Sequence, residues 1–175
     1  MLVLVVGPSG VGKDTLLEAA RQALTDDPRF RFVRRVITRP AHGGGEGHEA
    51  VTEAEFAARD FALQWQAHGL RYGIPVDAIG PGIIAVANVS RTVIAEAARH
   101  FSVRVIEITA SPEVLAARLV SRGREAAADV AARLARRVTV PDHVPADTVL
   151  NDGVLEDGVA RFIAALNRVA SDVYE

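Results

Sequence analysis

Short apolar runs alternate along the chain with stretches whose apolar residues recur at helical spacing. Leu2–Val6 is unbroken and apolar, which predicts a strand buried on both faces. Leu16, Leu17, Ala20 and Leu24 share one face, so a helix is expected over Asp14–Leu24. Arg31–Ile37 reads as a strand and Thr38–His48 as a glycine-rich loop. Thr52 and Glu55 have the spacing of a capping box at a helix start. Phe61, Leu63 and Trp65 alternate with Ala62, Gln64 and Gln66, the pattern of a half-buried strand over Phe61–Ala67. Ile83–Ala87 is a second continuous apolar run, followed by Ser90 as cap of a helix to about Arg99. Val103–Ile108 is a further strand. Ser111-Pro112-Glu113 has the cap, first-turn proline and acid that open a helix, here one ending near Arg122-Gly123. A helix over Glu125–Val138, a loop over Val140–Val149, a short strand at Thr148–Leu150, a turn at Asn151-Asp152-Gly153 and a closing helix over Val154–Val169 complete the pattern. Strand–helix alternation of this kind predicts an α/β fold of three layers, with a mostly parallel central sheet of about five strands and helices on both faces. No repeat or linker divides the chain, so residues 1–175 are expected to form one domain.

Composition narrows the classes. The chain has no cysteine, which excludes disulfides and thiolate metal sites. A net charge of −2 carries no signature of nucleic-acid or anionic-membrane binding. No run approaches transmembrane length, and the apolar start is too short and lacks the basic residues of a signal peptide, so a cytoplasmic protein is expected.

The chemistry concentrates after the first strand. Of 20 Lys and Arg residues only Lys13 is a lysine, and it lies within Gly7-Pro8-Ser9-Gly10-Val11-Gly12-Lys13-Asp14-Thr15. Gly7-x-x-x-x-Gly12-Lys13 between a strand and a helix is the context a phosphate loop requires. Glycines let the backbone wrap a phosphate, N–H groups converge on it, and the lysine reaches the β- and γ-phosphates of a nucleotide. Ser or Thr usually follows the lysine and binds Mg²⁺, whereas here the order is Asp14 then Thr15. Either the carboxylate or the hydroxyl can serve Mg²⁺, and Asp14 can equally be an acidic first-turn helix residue.

Several nucleotide-binding classes are disfavoured. Guanine reading by an Asn-Lys-x-Asp motif needs a second lysine. A motor ATPase wants an acid at the end of an apolar strand, yet Ile83–Ala87 ends in Asn88, and Glu107 reads as a sheet-edge or core-pair carboxylate. Arginine, by contrast, is abundant: Arg118, Arg122, Arg124, Arg133, Arg136 and Arg137 fall in one region, around a helix break at Arg122-Gly123-Arg124. Taken singly these residues suit a solvated basic face; together they suit a helical lid over 118–140 that neutralises a transferring phosphoryl group, with Arg118, Arg122 and Arg133 as catalytic candidates. Arg34, Arg35 and Arg39 form a second basic group before the glycine-rich loop, and Arg39 is placed to hold an acceptor phosphate. The histidines lack metal-ligand spacing, but His68 sits among Gly, Tyr and Arg residues that suggest a binding loop.

These residues resemble a family. Gly7–Leu17, Ile37-Thr38-Arg39-Pro40, Tyr72-Gly73, and Arg118-Leu119 with Arg122-Gly123-Arg124 resemble the guanylate kinase group of nucleoside monophosphate kinases. Within that group, Gly12-Lys13-Asp14, Gly45-Glu46-Gly47-His48, Trp65-Gln66-Ala67-His68-Gly69 and Asn88-Val89-Ser90-Arg91 resemble the ribose 1,5-bisphosphate phosphokinases of phosphonate degradation. The resemblance implies a phosphate-loop kinase that takes ATP and Mg²⁺, held at Gly7–Thr15 and Arg122, and converts ribose 1,5-bisphosphate to 5-phosphoribosyl 1-diphosphate and ADP. It implies acceptor binding within 34–80 and beyond, by Arg35, Arg39, His48, Gln66, Tyr72, Asn88, Ser90 and Arg91, and it is compatible with a homodimer. Guanylate kinases have a glutamate at the position of Gln66 and an aspartate at that of Asn88. Gln cannot accept both guanine N–H bonds as a carboxylate does. Phe56–Phe61 and Asp77–Ile83 look shorter than the family pattern, and Gly80-Pro81-Gly82 replaces an expected helix end. A nucleoside monophosphate kinase and a non-catalytic nucleotide-binding regulator are the rival readings.

Overall fold

A computed structural model describes residues 1–40, 47–121 and 139–175. The expected helix over Glu125–Val138, and with it Arg122, Arg124, Arg133, Arg136 and Arg137 of the expected lid, lies outside the described residues, as does most of the Thr38–His48 loop.

Strand β1 (Leu2–Val6) is fully buried along its length, as its unbroken apolar sequence requires. Alternation divides its side chains between two cores. Val3 and Val5 join Leu16 and Ala20 of α1 (Lys13–Ala23), and Phe162 and Leu166 of the closing helix, which is α5 (Leu155–Tyr174). Leu2, Leu4 and Val6 join Val93, Ile94 and Ala97 on the other face, the last two from α3 (Ile94–His100). β1 pairs in parallel with β7 (Ile84–Asn88) on one side and β8 (Val103–Thr109) on the other. Adding β2 (Phe30–Phe32) and β9 (Ala146–Leu150) completes an all-parallel sheet of order β2-β7-β1-β8-β9. This is the expected five-stranded α/β sheet. Its strand order reverses around β1, so a crevice opens at the carboxyl end of that strand.

The sequence pattern did not foretell a second, four-stranded sheet of order β4-β3-β6-β5. The expected strand Arg31–Ile37 is in fact two. Val33 still donates to Val86 O of β7 at 2.8 Å, but the chain then crosses over, and β3 (Arg35–Thr38) belongs to the second sheet. β4 (His48–Val51) pairs with β3 in parallel, and the capping box at Thr52 opens the short α2 (Glu53–Ala57) as expected. β5 (Phe61–Ala67) is the half-buried strand its alternation implies. The segment around His68, expected to be a binding loop, is a tight hairpin into β6 (Leu70–Pro75): His68 (φ 53°) and Gly69 (φ 73°) form a two-residue turn with both backbones left-handed, and His68 lines the cleft between the two sheets. Leu63 and Ile74 tie this sheet to the core of the main one. Two other boundaries differ. Ser90 caps a single 3₁₀ turn, Arg91–Val93, before α3 begins, and β9 starts at Ala146, within the expected loop. α4 (Pro112–Ser121) opens where its cap signal lies.

A small separate core of Val36, Val51 and Phe56, with Phe61 stacked on Phe56 at 4.3 Å, supports the outer half of the second sheet. Phe56→Ala is therefore expected to speed amide exchange in β3 and β4, by the equivalent of about 3 kcal/mol, while β1 and β8 keep their protection. Hydrogen-exchange mass spectrometry reads both sheets in one experiment.

Candidate active site

The two sheets and the loop after β1 enclose a cleft of about 1090 Å³. The loop forms its floor. Gly12 is the N-cap of α1 with φ 92°, a left-handed backbone that favours glycine, and a Cβ there would meet Asn151 Nδ2 at 2.9 Å. A Cβ on Gly7 would overlap the Ile108 carbonyl oxygen. The turn that opens the helix N-terminus towards the cleft sends several loop carbonyls inward, where they are met by donors. Val11 O accepts from Asn151 Nδ2 at 2.8 Å and from Arg118 Nη1 at 3.3 Å. Gly7 O and Pro8 O accept from Lys13 Nζ at 2.6 and 3.3 Å. Asn151 is buried, and its own N–H donates to Thr109 O of β8 at 2.8 Å, so the end of β9 locks the loop to the sheet.

Lys13 is thus folded back on its loop. Burial, the largest influence, lowers its pKa to about 8; the Arg35 and Arg91 charges push the same way, and Asp14 opposes them. Asp14, exposed in the first turn of α1, accepts from Asn88 Nδ2 at 2.7 Å and lies 3.9 Å from Arg35 Nη2. Asn88 reaches it because the β1–β7 register sets Asn88 opposite Val5, just before the loop. Across the cleft, the Arg35 guanidinium stands 5.7 Å from the Tyr72 ring centroid, and Tyr72 stacks on Trp65 at 5.4 Å with planes 9° apart. Arg39 and His48 continue that wall, and Ser90 and Arg91 close the side next to β7.

The cleft therefore gathers Gly7, Pro8, Ser9, Gly10, Gly12, Lys13, Asp14 and Thr15 with Arg35, Arg39, His48, Tyr72, Asn88, Ser90 and Arg91. Three expected residues are placed differently. The Val11 side chain is in the main core, and its N–H lies 3.3 Å from Pro8 O. Gln66 is absent from the cleft lining: strand alternation puts Trp65 and Ala67 there, while Gln66 pairs in register with Arg71, whose guanidinium covers Phe56 on the opposite face. Arg118 gives Nη1 to Val11 O and Nη2 to Asn151 O at 2.8 Å, so its guanidinium braces the loop from α4. Arg34 and Trp65 also line the cleft. Trp65 was detectable in principle, since the alternation that buries Leu63 fixes its face; Arg34 belongs to the basic group the sequence marks, but only the crossing between sheets turns it inward. Among the described residues, no cluster of three His, Cys, Asp or Glu residues offers a self-sufficient metal site, and no helix is long and apolar enough to cross a membrane.

A parallel sheet with a lysine-bearing loop at its switch point defines the class, a phosphate-loop kinase. Among solved structures the fold is similar to guanylate kinase from Anaplasma phagocytophilum (TM-score 0.61, 21% identity, 96% of this chain and 84% of that one). A gluconokinase from Sinorhizobium meliloti is also similar (TM-score 0.54, 20% identity, 98% and 94% covered). No family model matches the sequence. Among curated proteins, the chain is 48% identical over 177 residues to ribose 1,5-bisphosphate phosphokinase PhnN of Brucella melitensis, covering 96% of this chain and 92% of that protein. It is 50% identical over 171 residues to the PhnN of Acidiphilium cryptum, covering 95% and 92%. It also matches 28% of a bifunctional ribose 1,5-bisphosphokinase-thymidine phosphorylase of Cupriavidus necator, at 52% identity over 93% of this chain. The chain belongs to the PhnN family of ribose 1,5-bisphosphate phosphokinases.

Bound phosphates favour the ammonium of Lys13, so ATP binding above about pH 8 takes up protons and weakens as pH rises. Calorimetry in two buffers of different ionisation enthalpy measures the uptake. In the free protein the sign is opposite. Between about pH 8 and 10.5 the unfolded chain binds the extra proton, so the contribution of Lys13 to stability rises with pH. Asn151→Ala deprives Val11 O of its shorter bond and is expected to cost about 1–3 kcal/mol in urea unfolding, with weaker ATP binding.

Proposed function

We propose that this chain transfers the γ-phosphoryl group of ATP to the 1-phosphate of ribose 1,5-bisphosphate, giving 5-phosphoribosyl 1-diphosphate and ADP. The observation that carries the reading is the facing of two cationic surfaces across one cleft: Lys13 with the α1 N-terminus on the floor, Arg35 and Arg39 on the opposite wall. Kinship with PhnN proteins over nearly the whole chain supports the same acceptor. Arg35 and Arg39 hold an acceptor phosphate, and Lys13 gives up its bonds to Gly7 O and Pro8 O for the β- and γ-phosphates. An oxygen of the acceptor 1-phosphate attacks the γ-phosphorus while the bond to the β–γ bridging oxygen breaks, its electron pair leaving with ADP. The nucleophile is already an anion, so no strong general base is needed.

Asp14 and Thr15 face the cleft from the first turn of α1 and present two hard oxygens. Such a sparse donor set suits Mg²⁺, which takes its remaining ligands from phosphates and water. When bound there it would neutralise charge on the β- and γ-phosphates. Asn88 holds the Asp14 carboxylate in place for that task. Arg122 and Arg133 are assigned to the γ-phosphoryl from the lid side, and Arg118 to bracing the loop. No nucleic acid or membrane enters this chemistry, which belongs in the cytoplasm.

Guanylate phosphorylation is the weaker reading, because Gln66 faces away from the cleft and Asn88 is committed to Asp14. A coupled ADP-release assay decides between them. Turnover with ribose 1,5-bisphosphate and little with GMP is expected; turnover with GMP alone would sink the proposal. Lys13→Met is expected to lower kcat by at least about 100-fold in the same assay.

A further inference from the structure

Among the described residues, one buried side-chain nitrogen or oxygen has no hydrogen-bond partner: Nε of Arg91. Its neighbour Nη2 is well held, donating to Glu107 Oε1 at 2.5 Å. The two residues come from opposite sides of β1. Arg91 opens the 3₁₀ turn after β7, and Glu107 lies in β8, in register with Val6 immediately before the phosphate loop. Both side chains are largely withdrawn from solvent, at 19% and 31% exposure, yet Arg91 lines the cleft and Glu107 does not. A carboxylate that takes only one edge of a guanidinium leaves the planar fork fixed and the remaining N–H committed to a direction.

The local charges explain why a holder is needed. Arg91 shares the cleft with Lys13 and Arg35, and like charges this close drive a flexible side chain outward unless a counter-charge restrains it. We infer that Glu107 is a positioning residue for phosphoryl transfer, fixing Arg91 so that the cleft-lining part of its guanidinium donates to the attacking phosphate of the acceptor. This rests on the function proposed above. Arg35 and Arg39 then serve one end of a doubly phosphorylated acceptor, and Arg91, beside Lys13, serves the reacting end. The bond changes are those of the transfer itself, so no further reactant is required.

The test compares Glu107→Ala, Glu107→Gln, Arg91→Lys and the Ala/Lys double variant by steady-state kinetics and by ATP titration. Glu107→Ala is expected to lower kcat about 10- to 100-fold while ATP affinity stays within about twofold. Gln offers an oxygen to the same Nη2 and is expected to recover kcat to within about fivefold. Arg91→Lys keeps the charge, loses the fork, and falls as Glu107→Ala does. In the Arg91→Lys background, Glu107→Ala should add less than about twofold, because its effect runs through Arg91. If the two losses multiply, or if ATP affinity falls as far as kcat, the inference is overturned and Glu107 merely supports the root of the loop. Should Glu107→Ala not fold, Glu107→Met, similar in volume but without an acceptor oxygen, takes its place with the same expectations. Wild-type turnover of ribose 1,5-bisphosphate is measured first. Its absence overturns the proposed function and this inference with it, whereas wild-type turnover with multiplying losses overturns this inference alone.

Discussion

A backbone that turns its N–H groups towards a ligand must turn carbonyl oxygens the other way, and those oxygens need donors. That constraint organises this molecule around the loop after β1. Val11 O is met by Asn151 and Arg118, and Gly7 O and Pro8 O by Lys13. The donors come from the end of β9, from α4 and from α1, so three elements far apart in sequence converge on one stretch of main chain. Unpaired buried carbonyls would each cost a sizeable fraction of a domain's net stability, which makes the loop a reason for the fold as much as a product of it.

The same arrangement stores the means of binding. Lys13 satisfies two carbonyls in the free protein and is held at a lowered proton affinity by burial and by Arg35 and Arg91. Polyphosphate relieves both conditions by supplying charge to the lysine and to its cationic neighbours. Asp14 lies between Asn88 and Arg35, one from each sheet, so the first turn of α1 links the nucleotide side of the cleft to the acceptor side. The stack of Arg35, Tyr72 and Trp65 then stiffens the far wall.

The main sheet was legible because both its faces are covered. Leu2–Val6 and Ile84–Asn88 are apolar without a break, and such runs leave little choice but a central parallel strand. The phosphate loop was legible because its glycines and lysine act through local geometry. The second sheet was not. Arg31–Ile37 has one pattern but two partners, and nothing local marks the crossing at Arg34 between them. The His68-Gly69 segment is a hairpin turn that also reaches the cleft, since residues that suit a tight left-handed turn also suit ligand contacts. Gln66 was assigned to the acceptor on the strength of resemblance, whereas the period of a strand puts it on the face away from Trp65.

The sequence by itself determined the phosphate loop, the central parallel sheet and the kinase class, because each depends on contacts within a few residues or on a pattern that burial imposes directly. Only the tertiary structure decided which cations meet. Arg118 went to brace the loop, Arg91 was pinned by Glu107 across β1, and Arg34 turned into the cleft. An arginine carries the same charge and reach wherever it stands in a sequence. Its role is set by the acceptor that folding brings within about 3 Å, and that distance is a property of packed elements rather than of the chain.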